Sequence, residues 1–155
     1  MATTVVFYDG VCGLCNRFVR FLIRRDRHRR LVFAPLQGTL ARTLLVPRGY
    51  DPSNLDTVYA VADWRSPAPQ VLTRAPAVVH ALRQLGGAWA VMARVASMVP
   101  TALANRLYDL VARKRYRTFG RLGVCPIPPP EWRDRFIESG TQNEQMSPRC
   151  STTTS

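Results

Sequence analysis

The chain begins with an uninterrupted apolar run, Val5-Val6-Phe7-Tyr8, which ends at Asp9-Gly10. A short run without alternation fits a central strand buried on both faces. From Gly13 the pattern turns helical, with Leu14, Phe18, Phe21 and Leu22 on one stripe. Val19 and Ile23 widen that stripe, and Arg17, Arg20 and Arg24 lie largely opposite. The polar run 24–30 follows, its cations suited to the negative end of the helix dipole. A second apolar run over 31–34 stops at Pro35, so strand, helix and strand form a βαβ unit with a right-handed crossover.

Beyond Pro35 a short helix is predicted over 39–46, and strands over 57–63 and 70–73. The Ser- and Pro-bearing loop 65–69 between them suits a hairpin. The period then becomes helical to the end of the patterned region. Pro76 suits the first turn of a helix carrying Val78, Val79, Leu82 and Leu85, which Gly86-Gly87 terminates. A second helix is predicted over 89–98, stopped by Pro100. A third starts near Thr101, places Leu103, Leu107, Leu110 and Val111 on one expected core face, and ends at Gly120. The expected fold is α/β: a βαβ unit, a β-hairpin and a helical C-terminal extension over about 75–120. Residues 1–137 read as one domain and 138–155 as a polar, disordered tail.

The formal charge of +12 rests almost wholly on arginine, since Lys114 is the only lysine. Such a surface attracts anions, be they nucleic acid, acidic lipid or acidic proteins. The stretch 106–121 concentrates it, with Arg106, Arg113, Lys114, Arg115 and Arg117 interleaved by Tyr108, Tyr116 and Phe119. The expected arrangement is a helix that buries its apolar face and solvates these charges, open to an acidic partner or a membrane surface. Nucleic-acid binding there is expected to be weak and non-specific. The N-terminus lacks the regions of a secretory signal, and no apolar run has the length of a membrane span, so a cytoplasmic protein is expected.

Cytoplasmic thiols are kept reduced, which turns attention to Cys12 and Cys15. A strand leading through a tight turn into a helix puts Cys12 where backbone N–H groups lack partners and the dipole is positive. Both stabilise a thiolate, the attacking species, and Arg17 or Arg20 would add to the effect. Two intervening residues bring the second sulfur within bonding distance. Cys12 is then the exposed nucleophile and Cys15 the more buried resolving thiol, with Gly10 and Gly13 leaving room for a substrate disulfide. The competing reading is a pair of small buried cysteines with no reactivity, in a non-catalytic basic binding module. Asp9 is a turn residue whose carboxylate bonds the following N–H groups, or a proton acceptor that helps to ionise Cys15.

Cys125 and Cys150 stand far from this pair and from each other. A four-cysteine zinc site would offer a second close pair, so no metal is expected, and dithiol exchange needs no cofactor. Cys125 reads first as a small core residue and second as a third thiol near the site. His28 and His80 have no Asn or Asp companion, which argues against a Cys–His hydrolase.

Val5-Val6-Phe7-Tyr8-Asp9-Gly10-Val11-Cys12-Gly13-Leu14-Cys15-Asn16 resembles the signature of the DCC family of thiol–disulfide oxidoreductases, named for an Asp and two Cys that correspond to Asp9, Cys12 and Cys15. The resemblance continues through Phe33-Ala34-Pro35-Leu36-Gln37, through the helix from Tyr108 to Gly120, and to Cys125-Pro126. It implies a thioredoxin-like fold extended by C-terminal helices, and thiol–disulfide exchange with a protein or small-thiol substrate. Two departures stand out. Ala75-Pro76-Ala77 replaces the family's Ser-Asp-Ala, and no proline precedes the third strand at Asp56-Thr57, where thioredoxins carry a cis-proline.

Overall fold

The fold is taken from a computed structural model, which describes residues 3–122 and 129–137. Four strands, β1 (Thr4–Tyr8), β2 (Leu31–Pro35), β3 (Tyr59–Ala62) and β4 (Gln70–Thr73), form one sheet in the order β2-β1-β3-β4. β1 pairs in parallel with β2, Val5 opposite Val32, and antiparallel with β3, Val5 opposite Val61. β3 pairs antiparallel with β4 across the expected hairpin. Helix α1 (Gly13–Arg25) makes the crossover between β1 and β2.

Every residue of β1 is buried, as a central strand requires. Its alternate side chains feed two separate cores. Val6 and Tyr8 join Val19, Leu22, Phe33 and Ala60 on one face; Val5 and Phe7 join Leu40, Leu45, Tyr59 and Val61 on the other. The second face is covered by α2 (Thr39–Leu45), which passes into a short 3-10 turn at Val46–Arg48. On α1 the stripe is centred nearer the C-terminal flank than the periodicity suggested. Val19, Leu22 and Ile23 are buried, whereas Leu14, Phe18 and Phe21 are half-buried.

Three helices follow the sheet: α3 (Arg74–Gln84), α4 (Gly87–Ala96) and α5 (Thr101–Phe119). α3 starts two residues before Pro76, which sits in its first turn, and it buries Ala77, Ala81 and Leu85 rather than its valines. Small side chains at four-residue spacing let this helix approach the sheet closely. On α5 the expectation reverses. Leu103, Leu107, Leu110 and Val111 are all about half exposed, and the residues the helix buries are Ala112 and Arg115.

Asp26, which falls in the polar run 24–30, is buried as well. It caps the α1–β2 connection by accepting the N–H groups of Arg30 (3.1 Å) and Leu31 (2.8 Å), and it pairs with Arg135. Arg135 also donates to the Leu31 carbonyl, and Ile137 N–H donates to Phe33 O at 2.8 Å. Residues 130–137 thus cover the outer edge of β2, which would otherwise present unpaired backbone groups. Cys125, Cys150 and the tail 138–155 lie outside the described residues.

Candidate active site

Cys12 is the N-cap of α1, with extended backbone (φ −83°, ψ 121°), and its Sγ accepts the N–H of Cys15 at 3.4 Å. A sulfur in this position takes one of the unpaired amides of the first helical turn. The Cys15 thiol donates to the same sulfur, and this is the largest influence pulling the Cys12 pKa down from 9.0 to about 6. Burial opposes the shift; the Cys15 amide, the Arg115 guanidinium and the Leu14 amide reinforce it. The reverse holds for Cys15, whose pKa is pushed well up by that same hydrogen bond, then by burial and by the Cys12 charge. Both thiols are free.

The cation at the sulfurs is Arg115, from α5, and not Arg17 or Arg20, which are exposed on α1. Its Nη1 lies 3.7 Å from Cys15 Sγ. Its Nη2 donates to the Leu55 carbonyl at 2.6 Å and lies 3.2 Å from Asp56 Oδ1 and 3.5 Å from Asp9 Oδ2. The Arg115 and Asp9 side chains are 2% and 0% exposed, so this is a buried ion pair that each member needs. Arg115 therefore does not belong to the solvated basic surface in which the sequence placed it.

Asp9 performs the turn role: Oδ1 accepts Val11 N–H at 3.1 Å and Gln37 Nε2 at 3.0 Å. On Oδ2 it accepts the Tyr116 hydroxyl beside Arg115. All four partners are donors, and none is a cysteine sulfur. Tyr116 stays protonated, its pKa raised by burial and by the Asp9 carboxylate. Tyr108, pushed up to about 12 chiefly by burial, accepts Val58 N–H at 2.8 Å. Arg115 and Tyr108 thereby tie the loop before β3 to α5, at the place where a cis-proline would stand in thioredoxins.

The expected exposure of Cys12 is not found. Cys12 is 0% and Cys15 6% exposed, because the chain leaving α5 runs over the helix tip. Leu122 N–H donates to Val11 O at 2.7 Å, Gly13 N–H to Gly120 O at 3.4 Å, and Cys12 bridges to Arg121. A Cβ on Gly13 would come within 2.4 Å of the Phe119 carbonyl. The space that glycine leaves is filled by the protein's own backbone rather than held open for substrate. Cys15 instead borders a cleft of about 360 Å³, lined with Leu14, Phe18, Val78, Leu107 and Val111 and with Arg115 as its charged member.

His80 is remote in role: its Nε2 lies 3.1 Å from Thr4 Oγ1 and 3.2 Å from Gln84, and burial lowers its pKa. No cluster of three metal-binding side chains occurs among the described residues. Gln37 is a site residue that the residue pattern alone did not single out, and Arg115 and Tyr116 were named there only as part of the basic helix and not as neighbours of the dithiol. Gln37 and the Tyr108–Gly120 helix do fall within the stretches that carry the family resemblance.

A dithiol at the tip of the first helix after a central strand, on a four-stranded mixed sheet, defines a thioredoxin-like α/β protein. The profile of the DCC1-like thiol-disulfide oxidoreductase family matches residues 6–121, and the chain belongs to that family. It is 32% identical over 133 residues to YuxK of Bacillus subtilis, itself described as uncharacterized, covering 86% of this chain and 93% of the relative. A chloroplastic DCC family protein of Arabidopsis thaliana is 30% identical over 123 residues, covering 79% and 69% respectively. No solved structure matches.

Proposed function

We propose that the protein exchanges disulfides through Cys12 and Cys15, and the position of the Cys12 sulfur as N-cap of α1, accepting the Cys15 amide, carries this reading. The Cys12 thiolate attacks one sulfur of a substrate disulfide, forming a mixed disulfide and releasing the other sulfur as a thiolate. Cys15 then attacks Cys12 Sγ, closing the internal disulfide and releasing the second substrate thiolate. The substrate gains two electrons and the protein loses two.

The same contacts supply the timing. Two of the three largest causes that hold the Cys15 proton, its hydrogen bond to Cys12 and the Cys12 charge, vanish once Cys12 is in the mixed disulfide. Arg115, 3.7 Å away, remains and favours the Cys15 thiolate. Asp9 is the positioning residue that orients Arg115 and holds the turn. The site works as a dithiol without a cofactor, on a protein or small-thiol substrate, and the cytoplasm is the compartment that suits it.

Trapping tests the division of roles. Cys15→Ser should accumulate a mixed disulfide with substrate, whereas Cys12→Ser should not; non-reducing gels and mass spectrometry of the adduct read the result. Equal trapping by both variants overturns the assignment, and trapping by neither favours an unreactive buried pair.

A further inference from the structure

Among the described residues eleven large apolar side chains are exposed, and ten of them lie between Val91 and Phe119. Contiguous exposed apolar surface marks an interaction site. On α5, Leu103, Leu107, Leu110 and Val111 recur at helical spacing and are 50–56% exposed. Arg106, Arg113 and Arg117 follow one flank of that stripe, and Lys114 continues its line; all four are exposed. The preceding helix also exposes Val91, Met92 and Val95, and the turn between the helices exposes Met98, at 82%. Between residues 86 and 122 the only acid is Asp109, which faces Arg74 at 3.8 Å.

We propose that α5 docks this face on an anionic lipid surface, its leucines entering the interface and its flanking arginines meeting the headgroups. No single helix among the described residues is long and apolar enough to cross a membrane; α4 and α5 reach that length and apolarity only together, across a 109° bend. An amphipathic helix with cations beside its apolar stripe lies in the plane of the interface instead. Other occupants fit less well. Residues 138–155 offer Met146 as their only large apolar side chain, so the chain's own C-terminal segment lacks the chemistry to cover the face. A second copy related by a two-fold axis would set one arginine flank against another in a protein of charge +12. Leu107 and Val111 also line the cleft that reaches Cys15, so docking lays the mouth of that cleft against lipid.

Sedimentation of the full chain with phosphatidylglycerol–phosphatidylcholine vesicles tests this, with pure phosphatidylcholine vesicles alongside. Binding is expected only to the anionic vesicles, and to weaken with salt. Arg106→Gln, Arg113→Gln and Arg117→Gln together should lower partitioning roughly a hundredfold, at about fivefold per cation. Leu103→Glu with Leu110→Glu, neither of which lines the cleft at Cys15, should abolish it while circular dichroism and Cys12 alkylation stay unchanged. Three results overturn the proposal: equal binding to both vesicle types, anionic binding that survives the leucine substitutions, or no binding at all. A stable dimer in sedimentation equilibrium that Leu107→Glu dissociates overturns it too, by naming a second copy as the occupant.

Discussion

The lowered pKa of Cys12 leads to a direct test. A fall from 9.0 to about 6 is about 4 kcal/mol of preference for the thiolate. At pH 7 it raises the ionised fraction from about 1% to about 90%. Nucleophilicity falls with pKa, however, and a Brønsted slope of about 0.45 takes back a factor of about 20. The net gain at pH 7 is therefore only a few-fold, and a rate measured at one pH would hide it. Position on the pH axis does not suffer this cancellation. Iodoacetamide alkylation followed by mass from pH 4 to 10 should titrate Cys12 with a midpoint near 6, and the Cys12 contribution to stability should follow it. The folded state loses this proton first, so the contribution is fully present above the unfolded value of about 9, declines as pH falls, and is gone below about 6. A midpoint near the unshifted value of about 9 would refute the helix-tip and Cys15 hydrogen-bond reasoning together.

Arg115→Met should cost about 3–5 kcal/mol in urea unfolding, because it leaves the Asp9 carboxylate buried without its cation, and should move the Cys12 midpoint upward. The second readout separates an effect on the sulfurs from simple loss of stability. Gly13→Ala should push the Phe119 carbonyl off the helix tip, raising the high-pH plateau of Cys12 alkylation at about 1–3 kcal/mol of destabilisation. An unchanged plateau would show that the segment over Cys12 does not limit access.

How much of this was legible in the sequence divides sharply by range. β1 could be placed from four consecutive apolar residues, and α1 from its stripe and its turn, because those signals are local and each element is buried in the ordinary way. The dithiol at the tip of α1 followed from the same two elements. α5 defeated the reasoning because hydrophobic periodicity finds a stripe without saying which side of the helix faces the core. Its leucines form the more apolar stripe, but the buried side is Tyr108, Ala112, Arg115 and Tyr116, whose small and polar-aromatic members read as solvent-facing. Burying Arg115 is favourable only because Asp9, the Leu55 carbonyl and Asp56 converge on it, and each of them lies 59 or more residues away along the chain. Asp26 hides in the same way, its partner Arg135 being 109 residues distant.

The two faces of α5 explain each other. A helix docked by its leucine stripe would place its arginines toward water and leave Cys15 beside an apolar wall. Turned the other way, the helix brings Arg115 to within 3.7 Å of Cys15 Sγ and Tyr116 to Asp9, and it leads its C-terminal residues across Cys12. The leucines are then left outside as a consequence. The covering segment is held to the turn by two backbone hydrogen bonds, Leu122 N–H to Val11 O and Gly13 N–H to Gly120 O. At about 1 kcal/mol net for each, releasing both costs about 2 kcal/mol, enough to keep the thiolate covered roughly thirtyfold more often than open. One helix therefore brings a cation to the dithiol, hydrogen-bonds the acid beside it and leads into the segment that covers Cys12, and its apolar stripe is left exposed.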